Sequence, residues 1–147
     1  MGLKSGLYGR RKRKPAYKNT EIELTADQKV SQFFEKTRNV AKYFASMGKD
    51  IKFLKPSQIP NTHTPDILMD GLEWEIKSPI GNSKRTIETN FRQAVKQSRY
   101  IIFDLRRIKV PEKQCMVQLE KELSARPYVR RLLIIKKNGE LRELPQK

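Results

Sequence analysis

The stretch Pro-Asp-Ile-Leu-Met-Asp-Gly-Leu-Glu-Trp-Glu-Ile-Lys, residues 65–77, contains two strand-like runs that are separated by a turn. Between Pro65–Met69 and Leu72–Lys77 lies Asp70-Gly71, a dipeptide that suits a two-residue hairpin turn. A turn of this length fixes the register, so each residue of the first run has one defined partner in the second. The sequence therefore predicts a hairpin in which Asp66 lies opposite Glu75.

Side chains alternate between the two faces of a strand, so the hairpin has two faces of different character. One face receives Asp66, Leu68, Glu73, Glu75 and Lys77, and the other receives Ile67, Met69, Trp74 and Ile76. We expect the second face to be core, with Trp74 serving in packing, and the first face to be charged.

Two opposed carboxylates repel each other unless a positive charge lies between them. A hard divalent cation such as Mg²⁺ or Mn²⁺ accepts oxygen ligands and leaves positions for water and phosphate. Asp66 and Glu75 are therefore candidate metal ligands, and Lys77 is a candidate catalytic cation that orients water or holds a phosphate oxygen. The alternative is a surface ion-pair cluster, which contributes at most about 1 kcal/mol.

The order of elements predicts a mixed α+β sheet with helices packed on it. Thr25 and Gln28 form a capping box for a first helix, whose apolar stripe runs to Met47 and ends at Gly48. The remaining predicted elements are a strand at 50–54, the hairpin, a helix at 84–98, a strand at 100–105, a helix at 112–126 and a terminal hairpin at 129–144 around Asn138-Gly139.

The length of 147 residues suits one compact domain, and the formal net charge of +16 indicates a polyanionic partner, most commonly nucleic acid. We expect a flexible basic arm at 1–18 and a single domain at 19–147. The arm carries Lys4, Arg10, Arg11, Lys12, Arg13, Lys14 and Lys18 and no acid. It could follow a phosphate backbone, or it could be a solvated leader.

Neither a membrane-spanning run nor the apolar part of a signal peptide occurs in these residues, so we expect action in the cytoplasm. Cys115 is alone, which excludes an internal disulfide and a cysteine-built zinc site. We interpret this cysteine as a small buried hydrophobe on a helix.

The helix at 84–98 carries two polar stripes beside its apolar side. Asn90, Gln93 and Gln97 could reach a scissile phosphate or position Lys77, or they could cap neighbouring loops. A basic stripe, suited to gripping phosphates or to solvation, consists of Arg85, Arg92, Lys96 and Arg99. His63 is a weak candidate for a general acid or base.

Pro65-Asp66 followed by Glu75-Ile76-Lys77 resembles the motif of the PD-(D/E)XK nuclease superfamily, and the order helix, three strands, helix, strand is similar to its restriction-endonuclease-like core. Glu75-Ile76-Lys77-Ser78-Pro79, with Lys96-Gln97-Ser98 downstream, also resembles the C-terminal tRNase domains of contact-dependent growth-inhibition toxins. Related domains occur in phage and mobile-element proteins.

The resemblance implies a metal-dependent endonuclease with Asp66, Glu75, Lys77 and Gln97 at its catalytic site. It also implies a further acidic ligand on the first helix, for which Glu35 is the candidate, and an acidic immunity protein as an inhibitor. RNA, tRNA included, is favoured over DNA on the toxin resemblance. The alternatives are a DNA endonuclease of a phage or mobile element, a non-catalytic nucleic-acid-binding protein, and a module that binds an acidic protein.

Overall fold

The computed structural model of this protein describes residues 32–55 and 64–145. Within these ranges the predicted order of elements is confirmed, with somewhat shorter bounds. The elements are α1 (Gln32–Ala45), β1 (Ile51–Phe53), β2 (Ile67–Met69), β3 (Leu72–Lys77), α2 (Thr86–Ala94), β4 (Tyr100–Asp104), α3 (Glu112–Ser124), β5 (Arg131–Ile135) and β6 (Leu141–Leu144).

The strands form one mixed six-stranded sheet in the order β1-β2-β3-β4-β5-β6. Strands β3, β4 and β5 run parallel to one another, whereas β1 pairs with β2 and β5 with β6 in antiparallel fashion. The predicted mixed α+β architecture is confirmed. The described residues pack into two compact units. The first unit contains residues 32–55 and 66–73, and the second unit contains residues 64–65 and 74–145.

In the first unit, α1 buries the apolar stripe that the sequence predicted, through Thr37, Val40, Ala41 and Phe44. Met47 was wrongly placed on this stripe and is exposed, because the helix ends at Ala45 and the chain turns away. Gly48 adopts a φ of +89° and donates its N–H to the Ala45 carbonyl at 2.9 Å. This is the glycine stop that the sequence predicted. The capping box at Thr25 lies outside the described residues.

The turn between β2 and β3 also belongs to the first unit. Asp70 and Gly71 have φ angles of +56° and +77°. Positive φ at both central residues is what a type I′ turn requires, so the predicted two-residue turn is confirmed. Lys49 Nζ lies 2.9 Å from the Asp70 carboxylate.

The second unit is built around β4, whose residues Ile101, Ile102 and Phe103 are fully buried. Helices α2 and α3 pack in one apolar cluster with Ile101 and Phe103 of β4 and with Leu132 and Ile134 of β5. Phe91 of α2 stacks on Phe103 with ring centroids 5.8 Å apart. Cys115 is a buried member of this cluster, as predicted, and burial raises the pKa of its thiol above the ordinary value.

Helix α2 ends at Ala94, four residues before the predicted end at Ser98. The N–H groups of Lys96 and Gln97 bond to carbonyls three residues back, at 3.2 and 2.9 Å. This tighter turn brings the chain into β4. None of the helices within the described ranges has the length and apolar character needed to cross a bilayer.

Candidate active site

Asp66 belongs to the first unit and precedes β2. Its backbone carbonyl accepts a hydrogen bond from the Leu54 N–H at 3.0 Å, which ties this position to the chain leaving β1. The residue is 5% exposed, so its carboxylate is largely shielded from water.

Glu75 and Lys77 belong to the second unit and lie two residues apart on β3. In the parallel register with β4, Glu75 pairs with Ile101 and Lys77 with Phe103. Laterally paired residues point to the same face of a sheet, so Glu75 and Lys77 share the face that carries the cluster of α2 and α3.

The expectation of one apolar and one charged face is therefore wrong for this part of β3. Trp74, Glu75 and Ile76 are buried in succession, with Glu75 only 4% exposed. Strands in a parallel sheet are commonly covered on both faces, which explains why burial does not alternate here. Trp74 is core as predicted, with its ring 5.6 Å from that of Tyr100.

The two charges on β3 form an ion pair between a buried carboxylate and a half-buried lysine. Lys77 Nζ lies 3.6 Å from Glu75 Oε2, and the lysine side chain is 16% exposed. Removing two charges from water carries a desolvation cost of several kcal/mol per ion, which their attraction has to offset. This pair is therefore unlike the surface ion-pair cluster considered as the alternative from sequence.

The donor chemistry of these residues fits a hard divalent cation, because carboxylate oxygens are the ligands that Mg²⁺ and Mn²⁺ prefer. In residues 32–55 and 64–145 the side chains of His, Cys, Asp and Glu do not assemble into a group of three or more that could hold a metal. Glu35 is exposed on α1, and its role as a further ligand stays a prediction.

Because α2 ends early, the polar stripe predicted on the second helix lies partly on the helix and partly beyond it. Asn90 donates from Nδ2 to the Thr86 carbonyl of its own helix at 2.8 Å, and Gln93 is exposed. Gln97 is half-buried in the turn that precedes β4, beyond the helix end. Its catalytic role stays a prediction.

The basic stripe is exposed, but part of its charge is paired. Glu88 lies 3.6 Å from Arg85 Nε and 2.7 Å from Arg92 Nη2. Sequence reasoning missed this glutamate, although its i,i+3 and i,i+4 spacing to the arginines predicts both contacts. Lys96 and Arg99 are exposed as expected. Arg10, Arg11, Lys12, Arg13 and His63 lie outside the described residues.

Polar residues at the ends of β3 and β4 were also missed. Asp104, 3% exposed, accepts hydrogen bonds from Arg106 Nε at 2.8 Å and Nη2 at 2.9 Å. Arg107 donates from Nη2 to the Ser78 carbonyl at 3.1 Å and to Ser78 Oγ at 3.3 Å. The available signal was a charged cluster directly after a central apolar strand, where parallel sheets commonly bind ligands.

The family model described as "Contact-dependent growth inhibition CdiA C-terminal domain" matches residues 62–141, which is more than half of the chain. Among solved structures, the chain is similar to one in the "CdiA-CT/CdiI toxin and immunity complex from Burkholderia pseudomallei". The TM-score is 0.61 at 19% sequence identity, covering 89% of this chain and 95% of that chain. At this identity the likeness shows the fold alone. No curated protein sequence matches.

Proposed function

The chain belongs to the contact-dependent growth inhibition CdiA C-terminal domain family, and from this premise we propose that it is a metal-dependent endonuclease of the PD-(D/E)XK type. It hydrolyses phosphodiester bonds of nucleic acid. The observation that carries the proposal is the ion pair of the buried Glu75 with the half-buried Lys77 on a parallel strand.

A buried ion pair is a poor choice for stability alone, since apolar residues of similar size commonly serve as well or better. On the β4 side, the register neighbours of this pair are the apolar residues Ile101 and Phe103. The presence of a carboxylate and an ammonium beside these apolar residues supports a chemical role for Glu75 and Lys77.

Asp66 and Glu75 are the proposed ligands of one Mg²⁺ or Mn²⁺. That both carboxylates share one ion rests on the register predicted from the Asp70-Gly71 turn and on the PD-(D/E)XK resemblance. When bound, the cation lowers the pKa of a water molecule and neutralises charge on the phosphate. The ammonium of Lys77 binds a phosphate oxygen and stabilises the charge that develops there. Gln97 is a proposed positioning residue for Lys77.

RNA, with tRNA as one target, is the proposed substrate, and DNA is the alternative. This preference rests on the resemblance to toxin tRNase domains. An acidic immunity protein is a proposed inhibitor, because the net charge of +16 favours an acidic partner and the similar structure is of a toxin and immunity complex.

The test compares cleavage of labelled plasmid and of total tRNA, with Mg²⁺ or with EDTA. Glu75→Gln, Lys77→Ala and Asp66→Asn should each lower the rate at least about 100-fold, because each removes a group that acts on the reacting phosphate. Glu73→Gln is the matched control, since this exposed glutamate lies two residues before Glu75 on the same strand and should leave the rate unchanged.

Circular dichroism and a urea transition should accompany each variant to verify that it folds. Cleavage that persists in EDTA, or that survives Asp66→Asn and Lys77→Ala, would overturn the metal mechanism. Salt-sensitive binding of nucleic acid without cleavage would instead favour a non-catalytic binding protein.

A further inference from the structure

The loops that follow β3 and β4 leave the sheet at the same edge. The two strands are parallel and Lys77 pairs with Phe103, so Ser78 and the residues after Asp104 continue from neighbouring strand ends. In open sheets with parallel strands, ligands bind outside the carboxyl ends of the strands. The β3 and β4 loops thus flank the place where a ligand of Lys77 would enter.

These two loops are tied to each other by three hydrogen bonds. Arg107 Nη2 donates to the carbonyl and the hydroxyl oxygen of Ser78, and the Lys109 N–H donates to the Gly81 carbonyl at 3.0 Å. A Cβ added to Gly81 would lie 2.8 Å from Thr86 Oγ1, so the Thr86 side chain would have to shift. The guanidinium of Arg107 is therefore held against the residue that follows Lys77.

The two arginines of the β4 loop differ in the charge of their partners. Arg106 forms a bidentate pair with the buried carboxylate of Asp104, which offsets its charge. Arg107 is exposed and contacts the neutral oxygens of Ser78. Within the part of the chain that the structure describes, it forms no ion pair with a carboxylate.

We infer that Arg107 binds a phosphate of the nucleic acid that flanks the one cleaved at Lys77, an inference that rests on the proposed nuclease function. The fork of N–H donors on a guanidinium matches phosphate oxygens, and the Ser78 contacts occupy Nη2 and orient the plane. Arg107 is a substrate-binding residue, and its cation contacts a second phosphate of an extended substrate.

The test uses the full chain and two kinds of probe. A labelled oligonucleotide, RNA and DNA in separate arms, supplies flanking phosphates, and its dissociation constant is measured in EDTA at several salt concentrations. Bis(p-nitrophenyl) phosphate supplies one phosphodiester only, and its hydrolysis is followed with Mg²⁺. Arg107→Ala and Arg107→Lys are compared with the control Arg130→Ala. Arg130 is exposed and precedes the amino-terminal end of β5, at the edge of the sheet opposite to the loops after β3 and β4.

Arg107→Ala should raise the dissociation constant for the oligonucleotide about five- to tenfold. The slope of log affinity against log salt concentration should decrease in size by about 0.7–0.9, since one phosphate contact is lost. Arg107→Lys should have a smaller effect, because it keeps the charge without the fork. Arg130→Ala should change affinity less than about twofold. Hydrolysis of bis(p-nitrophenyl) phosphate should be lost with Lys77→Ala, and it should fall less with Arg107→Ala than oligonucleotide affinity does.

Equal affinity losses in Arg107→Ala and Arg130→Ala would overturn the inference while leaving the nuclease proposal intact. A parallel loss of oligonucleotide binding and of thermal stability in Arg107→Ala would show that the residue only ties the loops together, which also overturns it. If the wild type cleaves nothing, the proposed function fails, and the affinities in EDTA still decide whether Arg107 contacts phosphate.

Discussion

Within residues 32–55 and 64–145, three carboxylates are buried although most charged side chains are exposed. Asp66, Glu75 and Asp104 are each at most 5% exposed, and each lies at or near a strand end. Burial makes a charge costly unless it is paired or bound. Motif and turn chemistry predicted the first two as functional, whereas Asp104 was counted only as part of the predicted strand at 100–105.

An exposed carboxylate on β6 provides a pH-dependent test. Arg131 donates from Nε and Nη2 to the two oxygens of Glu143, both at 2.8 Å, and these hydrogen bonds lower the pKa of Glu143 below 4.5. A lowered pKa in the folded state contributes stability above the unfolded value, and this stability is lost as the pH falls through the folded pKa.

Glu143→Gln should therefore reduce the free energy of unfolding near neutral pH and have a smaller effect as the pH falls below 4.5 and the carboxylate becomes protonated. The difference should be less than about 1 kcal/mol, because both side chains are exposed and solvent screens the pair. Urea transitions at about pH 6 and pH 3.5 measure it. Glu120→Gln, at an exposed position on α3, is the charge-matched control, and an equal pH profile in the two variants would contradict the prediction.

At the scale of elements, the hairpin turn of β2 and β3 depends on one glycine. Gly71 has a φ of +77°, and a Cβ added there would meet nothing within 4 Å. Gly71→Ala should thus lower the free energy of unfolding by about 1–2 kcal/mol through backbone strain alone.

Asp70→Asn is the control for that variant, because asparagine tolerates positive φ while the ion pair with Lys49 is weakened. Its free energy of unfolding should change by less than about 1 kcal/mol. Equal stability of Gly71→Ala and the wild type in urea would show that the turn does not require glycine.

At the scale of the whole molecule, the net charge of +16 should dominate nucleic-acid affinity. Replacing Arg10, Arg11, Lys12 and Arg13 with glutamine in the full chain removes four positive charges. If all four contact phosphates, the slope of log affinity against log salt should decrease by about 3. The slope is measured by fluorescence anisotropy with labelled RNA. An unchanged slope would show that the arm is a solvated leader and does not contact phosphates.

The element order, both hairpins and the helix stop were predictable because each depends on local chemistry. Asp70-Gly71 and Gly48 require positive φ, and the apolar spacing in α1 and α2 requires one buried face. The predicted end of α2 was four residues too late, because the apolar pattern does not show where the last turn of a helix tightens.

The sequence by itself determined the order of the secondary-structure elements, and it predicted Asp66 and Glu75 as candidate ligands. Only the tertiary structure decided that Glu75 is buried and Lys77 half-buried beside Ile101 and Phe103, and that Arg107 contacts Ser78. The physical reason is that both facts depend on β4 pairing in parallel with β3. A parallel pairing joins segments separated by a helix, so no local pattern of residues specifies its register.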